Sequence, residues 1–496
     1  MQTTTTTSPP PVPYLQNIPA ELWIACWTLC SKSDLRSISM VCKVFRSICL
    51  PLLFQNQSLD VRPSERSTYG RWEERSRQLQ HMADRLETLV AYAPLVRSWR
   101  ISIGLTGRES DSHPNIEDWR FFNDSYERIL ITFGATLGLY RNLSSLHLEW
   151  FVVDEPFRDI LASLLVLEDL TLSNCDIFHY DGFLKLKSFA EFGSSSEAKL
   201  LRIASADSLQ TLKLDGGRIF LPIIRGFGTE NLTQLVDLSL EELHNVTIFF
   251  GVLKRCPQLQ SLRITALTRT SSISLDDTTP DSVDPSWIPP LRSIAVPSVA
   301  LIRMLVPNRP ISEVTVFGSQ SESPVHLSAE ELMPLLMDIA SSSAPLESLV
   351  LPGADPTLGR LIFIAKRFPQ LRQLSMVIQE TGTRVVEGRP DPHDRSGPSK
   401  PFPVLRRNKL PDITSASNVH NILRWIFCGD ILLPPRLEVL KLEADVIVRE
   451  CFSSSQLQQV AKAVCRLCPG LRELYLHRSS LMRTGKAWKT VGSDSK

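Results

Sequence analysis

One short pattern recurs along the chain and limits what it can fold into: Leu-x-x-Leu-x-Leu. Strict copies begin at Leu143, Leu167, Leu209, Leu235, Leu346, Leu437 and Leu471. Leucine fills 71 of the 496 positions, a frequency whose cube yields about one strict copy by chance, so seven amount to a repeat. Allowing Ile, Val or Met adds copies at Leu259, Leu291, Ile311 and Leu371, all between strict ones. Proline stands one or two residues ahead of seven of these starts, at Pro257, Pro290, Pro310, Pro345, Pro369, Pro435 and Pro469. Proline cannot continue a helix and pushes its predecessor toward extended chain, so it suits a helix-to-strand junction. Residues 252–256 and 457–468, ahead of two of these prolines, have helical character. Each unit therefore reads as a short strand, a loop and a returning helix.

The starts are 24, 42, 26, 24, 32, 20, 35, 25, 66 and 34 residues apart. Several of these fall in the 20–29 window of leucine-rich repeats. The segment Leu167-Glu168-Asp169-Leu170-Thr171-Leu172-Ser173-Asn174-Cys175 fits the longer form of that repeat, and residues 96–101 read as a degenerate first copy. The long gaps require insertions or unrecognised repeats. One strand-helix unit cannot bury its apolar face alone, but stacked units share a core. The expected fold class is α/β: a leucine-rich-repeat solenoid over 95–480, with parallel strands on a concave face and helices outside. Motif leucines point inward and the residues between them face solvent. The Ser/Asp/Thr/Pro-rich stretch 270–290 and the Pro/Gly-rich stretch 381–417 read as flexible insertions. Residues 1–13 and 484–496 read as disordered tails.

A different pattern precedes the repeats, over 14–54. It opens with Leu15-Gln16-Asn17-Ile18-Pro19-Ala20-Glu21-Leu22-Trp23 and continues with Ser33-Asp34-Leu35-Arg36 and Met40-Val41-Cys42-Lys43-Val44-Phe45-Arg46. Pro19 ends extended chain, and Glu21 suits the positive end of a first helix. Leu22, Cys26, Trp27 and Cys30 fall on one apolar side of that helix. Ser33 can cap a second helix, and Val41, Val44, Phe45 and Ile48 mark a third. Three short helices make a small core, and such a module invites docking onto a partner. Residues 55–94 read as a helical connector, because Leu79, Met82, Leu86 and Leu89 recur at helical spacing.

These N-terminal residues resemble the F-box, whose pattern is roughly Leu-Pro-x-Glu-Leu, Asp-Leu, then Val-Cys-Lys/Arg-aromatic-Arg. Ile18, Pro19, Glu21, Leu22, Asp34, Leu35, Val41, Cys42, Lys43, Phe45 and Arg46 fill those positions. Cys26 and Cys30 replace larger aliphatic residues, and Phe45 stands where Trp is common. The order, F-box then degenerate leucine-rich repeats, implies a substrate receptor of a cullin-RING ubiquitin ligase. The F-box would dock on a Skp-type adaptor, and through it a cullin, while the repeats would hold a protein substrate of unknown identity. Such a receptor does no bond chemistry; it raises the local concentration of substrate lysines. By this resemblance, Leu15, Ile18, Pro19, Leu22, Leu35, Val41 and Phe45 contact the adaptor. A second reading keeps the repeats as a protein-interaction scaffold outside ubiquitination, with the N-terminal helices only capping the stack.

Substrate contacts are expected at the solvent-facing motif positions: Glu149, Asp169, Lys213, Asp215, Asp237, Glu241, Arg263 and Tyr475. Acids outnumber bases in the earlier repeats, which would favour a basic or polar segment, and signs are mixed in the later ones. Lys and Arg number 54 and Asp and Glu 53, a balance that argues against nucleic-acid coating. No apolar run approaches the length that spans a bilayer, and no signal sequence is apparent. The expected location is the cytosol, the nucleus or both. The Cys465-x-x-Cys468 pair lacks a second ligand pair for zinc. No hydrolase elbow, zincin or phosphate-loop motif occurs. The expectation is therefore a non-catalytic protein with no metal, no cofactor and no nucleic-acid or membrane partner.

Overall fold

The structure, a computed structural model, describes residues 18–61, 71–103, 116–178, 180–194, 196, 199–215, 217–267, 287–317, 327, 329–354, 357–378, 422, 425–426, 428–444, 454–476, 479–484 and 487–491. Residues 1–13 and most of the two expected insertions lie outside this set. The chain is mixed α/β and its main strands are predominantly parallel. It divides into two compact units, 1–234 and 235–496.

The first unit opens with three helices, α1 (Ala20–Trp27), α2 (Lys32–Ser39) and α3 (Lys43–Phe54). Ser31 and Asp34 form a reciprocal capping box at the start of α2, so the cap lies two residues before the expected Ser33. Cys42 caps α3 through its sulfur, which accepts from Phe45 N–H at 3.4 Å. Strand β1 (Asn56–Val61) follows directly. Next come α4 (Arg71–Leu89), β2 (Ser98–Ile103), α5 (Ile116–Leu137), β3 (Ser145–Glu149), β4 (Val152–Val153), α6 (Glu155–Ser163), β5 (Asp169–Ser173) and β6 (Asp176–Ile177). The unit closes with β7 (Asp181–Leu184), β8 (Ser188–Phe192), β9 (Arg202–Ala204), β10 (Thr211–Leu214) and α7 (Gly217–Gly226). Strands β1, β2, β3, β5, β8 and β10 pair in that order, all parallel. β4 pairs with β6 and β7 with β9.

Two features of this unit differ from the sequence expectation. The 55–94 connector is not purely helical, because β1 joins β2 in register from Asn56↔Ser98 to Val61↔Ile103. The strand ladder thus begins near residue 56 rather than 95. Its strand carries one motif leucine, Leu59, behind Phe54 and Gln57, too few to register as a copy. The 42-residue gap after Leu167 holds a repeat at Leu186-Lys187-Ser188-Phe189-Ala190-Glu191, whose strand is β8. Phenylalanine and glutamate in place of two leucines concealed it.

A backbone device recurs along these units. The carbonyl of the second motif residue accepts two N–H groups from the next strand start. Arg97 O accepts from Ser144 and Ser145, Ser144 O from Glu168 and Asp169, Glu168 O from Lys187 and Ser188, and Lys187 O from Gln210 and Thr211. The first leucine of each motif sits beneath this junction and is buried. The ladder therefore satisfies its own backbone groups where helix gives way to strand. The core packs Trp99 against Phe133 and Tyr140, with Phe151 and Phe157 beyond.

The second unit repeats the scheme with β11 (Asp237–Leu243), α8 (Val246–Leu253), β12 (Ser261–Leu267), β13 (Ser293–Val296), α9 (Val299–Leu305), β14 (Glu313–Val316), α10 (Ala329–Ala340) and β15 (Ser348–Ala354). It continues through α11 (Leu358–Arg367), β16 (Gln373–Ile378), β17 (Val439–Ala444), α12 (Ser454–Leu467), β18 (Glu473–Leu476), β19 (Ser479–Thr484) and β20 (Ala487–Val491). Strands β11 to β18 are parallel neighbours in chain order. β19 and β20 are antiparallel. The expected disordered tail at 484–496 is thus corrected at Thr484 and over 487–491. The outer edge of β18 would leave a row of unpaired backbone groups, and the hairpin covers it. Asn245 and Thr357 cap α8 and α11 by accepting from the N–H three residues on.

Candidate functional site

Two surfaces present chemistry. The first belongs to α1, α2 and α3. Their core is Trp27, Leu35 and Cys49, flanked by Trp23, Cys30, Ile38, Phe45 and Ile48. Trp23, Trp27 and Phe45 form an aromatic triangle with ring centroids 4.9 to 5.3 Å apart. With 3.6 residues per turn, Trp23, Trp27 and Cys30 make one stripe of α1, while Leu22, Cys26 and Leu29 make another about 100° away. The first stripe is turned into the core. The second is exposed: Leu22 is 57% and Leu29 89% accessible, and Cys26 is exposed. This differs from the sequence reading, which put Leu22 and Cys26 on the buried side with Trp27. At the turn from α2 to α3, Met40 is 80% and Val41 68% accessible, and Val44 is also exposed.

The residues expected to meet an adaptor therefore separate. Ile18, Pro19, Leu22 and Val41 face solvent. Leu35 is buried and Phe45 half-buried, and both hold the module together. Leu15 lies outside the described residues. Leu29 and Met40 belong to the exposed apolar set but were missed, because helical spacing alone does not tell which of two apolar stripes is the core.

The second surface is the solvent-facing side of the strands, whose burial alternates as expected; β3 and β13, for example, bury every second residue. In the first unit, in-register pairing lines up Ser98, Ser145, Asp169, Ser188 and Thr211 in one row, and Arg100, His147, Thr171, Ala190 and Lys213 in the next. Glu149 lies within 3.9 Å of Arg100. Arg100, which strand β2 adds, reduces the acidic bias read from the earlier repeats. Burial raises the Asp169 carboxyl above its usual range, as does the Glu168 charge beside it, against Lys187. His147 is held below its ordinary value first by burial and then by Arg100, which favours the neutral ring. Asp215 follows β10 at the turn, where its N–H donates to Glu191 O.

In the second unit, the corresponding rows are longer. One runs Asp237, Ser261, Ser293, Glu313, Ser348, Gln373, Val439, Glu473. The next runs Ser239, Arg263, Ala295, Thr315, Val350, Ser375, Lys441, Tyr475. Glu241 is an exposed residue of β11, beyond Ser239. Arg263 lies over the ring of Phe317 at 5.1 Å, and Lys441 over Tyr475 at 4.6 Å. The Tyr475 hydroxyl donates to Glu473 at 3.0 Å.

The buried thiols are poorly disposed for nucleophilic chemistry. The thiols of Cys175, Cys256 and Cys468 are each pushed up to about 12 by burial, so they stay protonated and weakly nucleophilic. Cys468 donates to Pro434 O, and its partner in the C-x-x-C pair, Cys465, is only partly buried. Among the described residues no three His, Cys, Asp or Glu side chains converge as metal ligands. No helix among them is long and apolar enough to cross a membrane. One buried carboxylate stands out: Glu191, fully enclosed on β8 at a register position held by Leu172 and Leu214 on the neighbouring strands. Its Oε1 accepts from Ser194 N–H at 2.7 Å, and Oε2 has no partner among the described residues. An open depression of about 430 Å³ lies before β5, β8 and β10, lined by Leu165, Val166, Lys185 and the Glu168–Lys187 ion pair. No family model matches the chain, and no curated protein matches it.

Proposed function

We propose that this protein is a non-catalytic substrate receptor of a cullin-RING ubiquitin ligase, an F-box module followed by a leucine-rich-repeat solenoid. The observation that carries the reading is the exposed apolar set of the N-terminal helices: Ile18, Leu22, Leu29, Met40, Val41 and Val44 remain outside a core already filled by aromatics. Exposed apolar side chains gathered on so small a module mark a protein-binding surface. The F-box resemblance names the partner as a Skp-type adaptor and, through it, a cullin. The open strand faces would hold the substrate, and the receptor would act by proximity. Such a protein works in the cytosol or nucleus.

The test is co-expression with the host's Skp-type adaptor, followed by co-purification. Recovery at one to one is expected, and Leu22→Asp and Val41→Asp should each abolish it without changing the melting temperature. Leu35→Asp is unsuitable as a docking variant, because Leu35 is core. Failure of the folded chain to recover the adaptor, or undiminished recovery with both variants, would refute the reading. That outcome would favour a capped interaction scaffold. One feature supports this second reading: α3 runs into β1, Lys32 donates to Asn56 O at 3.0 Å, and Phe54 stacks on Tyr92 at 3.9 Å. The helices thus also cover the first strand.

A further inference from the structure

The row through Arg263 and Lys441 has a composition that selects a ligand. Its two cations are separated by Ala295, Thr315, Val350 and Ser375, uncharged and partly accessible side chains. Neither cation is spent on an ion pair among the described residues; each is laid over an aromatic ring instead. Ala295 is small enough to let Arg263 cross strand β13 toward Phe317, the residue after β14. Lys441 leans one strand on, to Tyr475 of β18. The charged heads are therefore held over β14 and β18, four strand spacings apart, or about 19 Å at roughly 4.8 Å each. A ring beneath a guanidinium or ammonium fixes its position while leaving its outer side free for an anion.

We propose that this face of the second unit binds an extended polypeptide segment that crosses the strands, with two carboxylates about six residues apart seated on Arg263 and Lys441. At roughly 3.3 Å per residue, six residues of extended chain cover the separation. An even spacing also keeps both acids on the same side of the segment. The small side chains between the cations leave room for its backbone. The neighbouring row carries Asp237, Glu313 and Glu473. Those acids repel a continuous polyanion, so isolated acids in a polypeptide fit this face and a nucleic-acid backbone does not. The inference deepens the receptor reading; it relies on that reading only for the further statement that the bound segment belongs to a ubiquitination target.

The experiment selects a phage-displayed library of random 16-residue peptides on the full chain and measures the enriched peptides by fluorescence anisotropy. Enrichment of acid pairs spaced near six is expected. Binding should fall at least about tenfold with Arg263→Glu or Lys441→Glu, the scale of a lost charge pair, and should weaken with salt. Moving the second acid to position three of the same peptide should weaken it likewise. If a reversal alters the melting curve, Arg263→Gln and Lys441→Gln carry the same comparison. Peptides lacking acid pairs, no enrichment, equal binding to the double variant, or displacement by a single-stranded oligonucleotide would each overturn the proposal. No adaptor takes part, so failure here leaves the co-purification result untouched, and failure there leaves this one untouched.

Discussion

Leu22 and Leu172 are the same residue type on regular elements, yet one is 57% accessible and the other 1%. Leu172 belongs to β5, flanked by β3 and β8, with a neighbour on either side to cover it. Leu22 belongs to a three-helix module whose interior is already occupied by Trp23, Trp27 and Phe45. The repeats thus convert apolar residues into stability, while the module leaves a second apolar stripe exposed. The difference lies in the number of neighbours rather than in hydrophobicity. Deleting either side chain tests it most directly. Leu172→Ala should cost 2–5 kcal/mol in urea unfolding, the range for a buried leucine whose cavity cannot collapse. Leu22→Ala should stay within about 0.5 kcal/mol. Similar costs at the two sites would break the contrast.

The next largest effect concerns a place where a carboxylate stands at an inward motif position. Glu191 occupies a leucine position, and its carboxyl is pushed from an ordinary 4.5 to about 7, chiefly by burial and against the N–H of Ser194. Its folded form therefore holds a proton that the unfolded chain has already released. Stability is full below about pH 4.5, declines as pH rises to about 7, and stays constant beyond. The size is about 3 kcal/mol at 1.36 kcal/mol per pH unit. Glu191→Gln keeps the acceptor for Ser194 and removes the ionisation. It should raise the urea midpoint at pH 8 and leave the midpoint at pH 4.5 nearly unchanged. A variant that retained the wild-type pH dependence would mean that another group causes it.

Glu191 also shows why part of the fold was hidden in the sequence. Eleven motif copies were legible because leucine, isoleucine, valine and methionine all serve the same inward positions. The repeat of β8 was not, since Phe189 and Glu191 fill two of them. That glutamate is tolerated because its Oε1 meets the N–H of Ser194 behind Gly193, a residue in the left-handed region (φ 63°) where a Cβ would run into the Asn174 amide. No motif count reads such a local bargain. β1 was hidden for a similar reason, and β20 because nothing in 487–491 marks it as the cover of an open edge. The N-terminal helices were legible in extent but not in facing. Their inward stripe is decided by how Phe45 of α3 packs on Trp23 and Trp27, a tertiary fact.

A smaller effect sharpens the contrast from the side of the module. The Ser31–Asp34 capping box fixes the start of α2 with Ser31 Oγ 3.2 Å from Asp34 N and Asp34 Oδ2 3.3 Å from Ser31 N. Ser31→Ala should cost about 1 kcal/mol. Because so few residues share the module's core, that loss should appear as faster hydrogen exchange in α1 to α3 alone. Exchange rising equally in the repeats would show that module and repeats open as one.

The smallest effect lies at the second motif position of the later repeats, where charges alternate: Glu347, Arg372, Glu438, Arg472. Arg372 sits 4.0 Å from Glu347 and 3.9 Å from Glu438, and Arg472 is 3.6 Å from Glu438. All four are substantially solvated, so each pair contributes at most about 1 kcal/mol and less in salt. The alternation nevertheless has a direction. The carbonyls of Glu347, Arg372 and Glu438 each accept two N–H groups from the next strand start, so the side chains stack where the backbone already holds the register. Arg372→Glu would place three acids in succession, and repulsion at both contacts should exceed the loss from Arg372→Ala. A double-mutant cycle with Glu438→Arg measures the difference. If the losses of the two single variants simply add in the double variant at low salt, the ladder is only a solvated surface, and register in these repeats rests on leucine burial and the backbone alone.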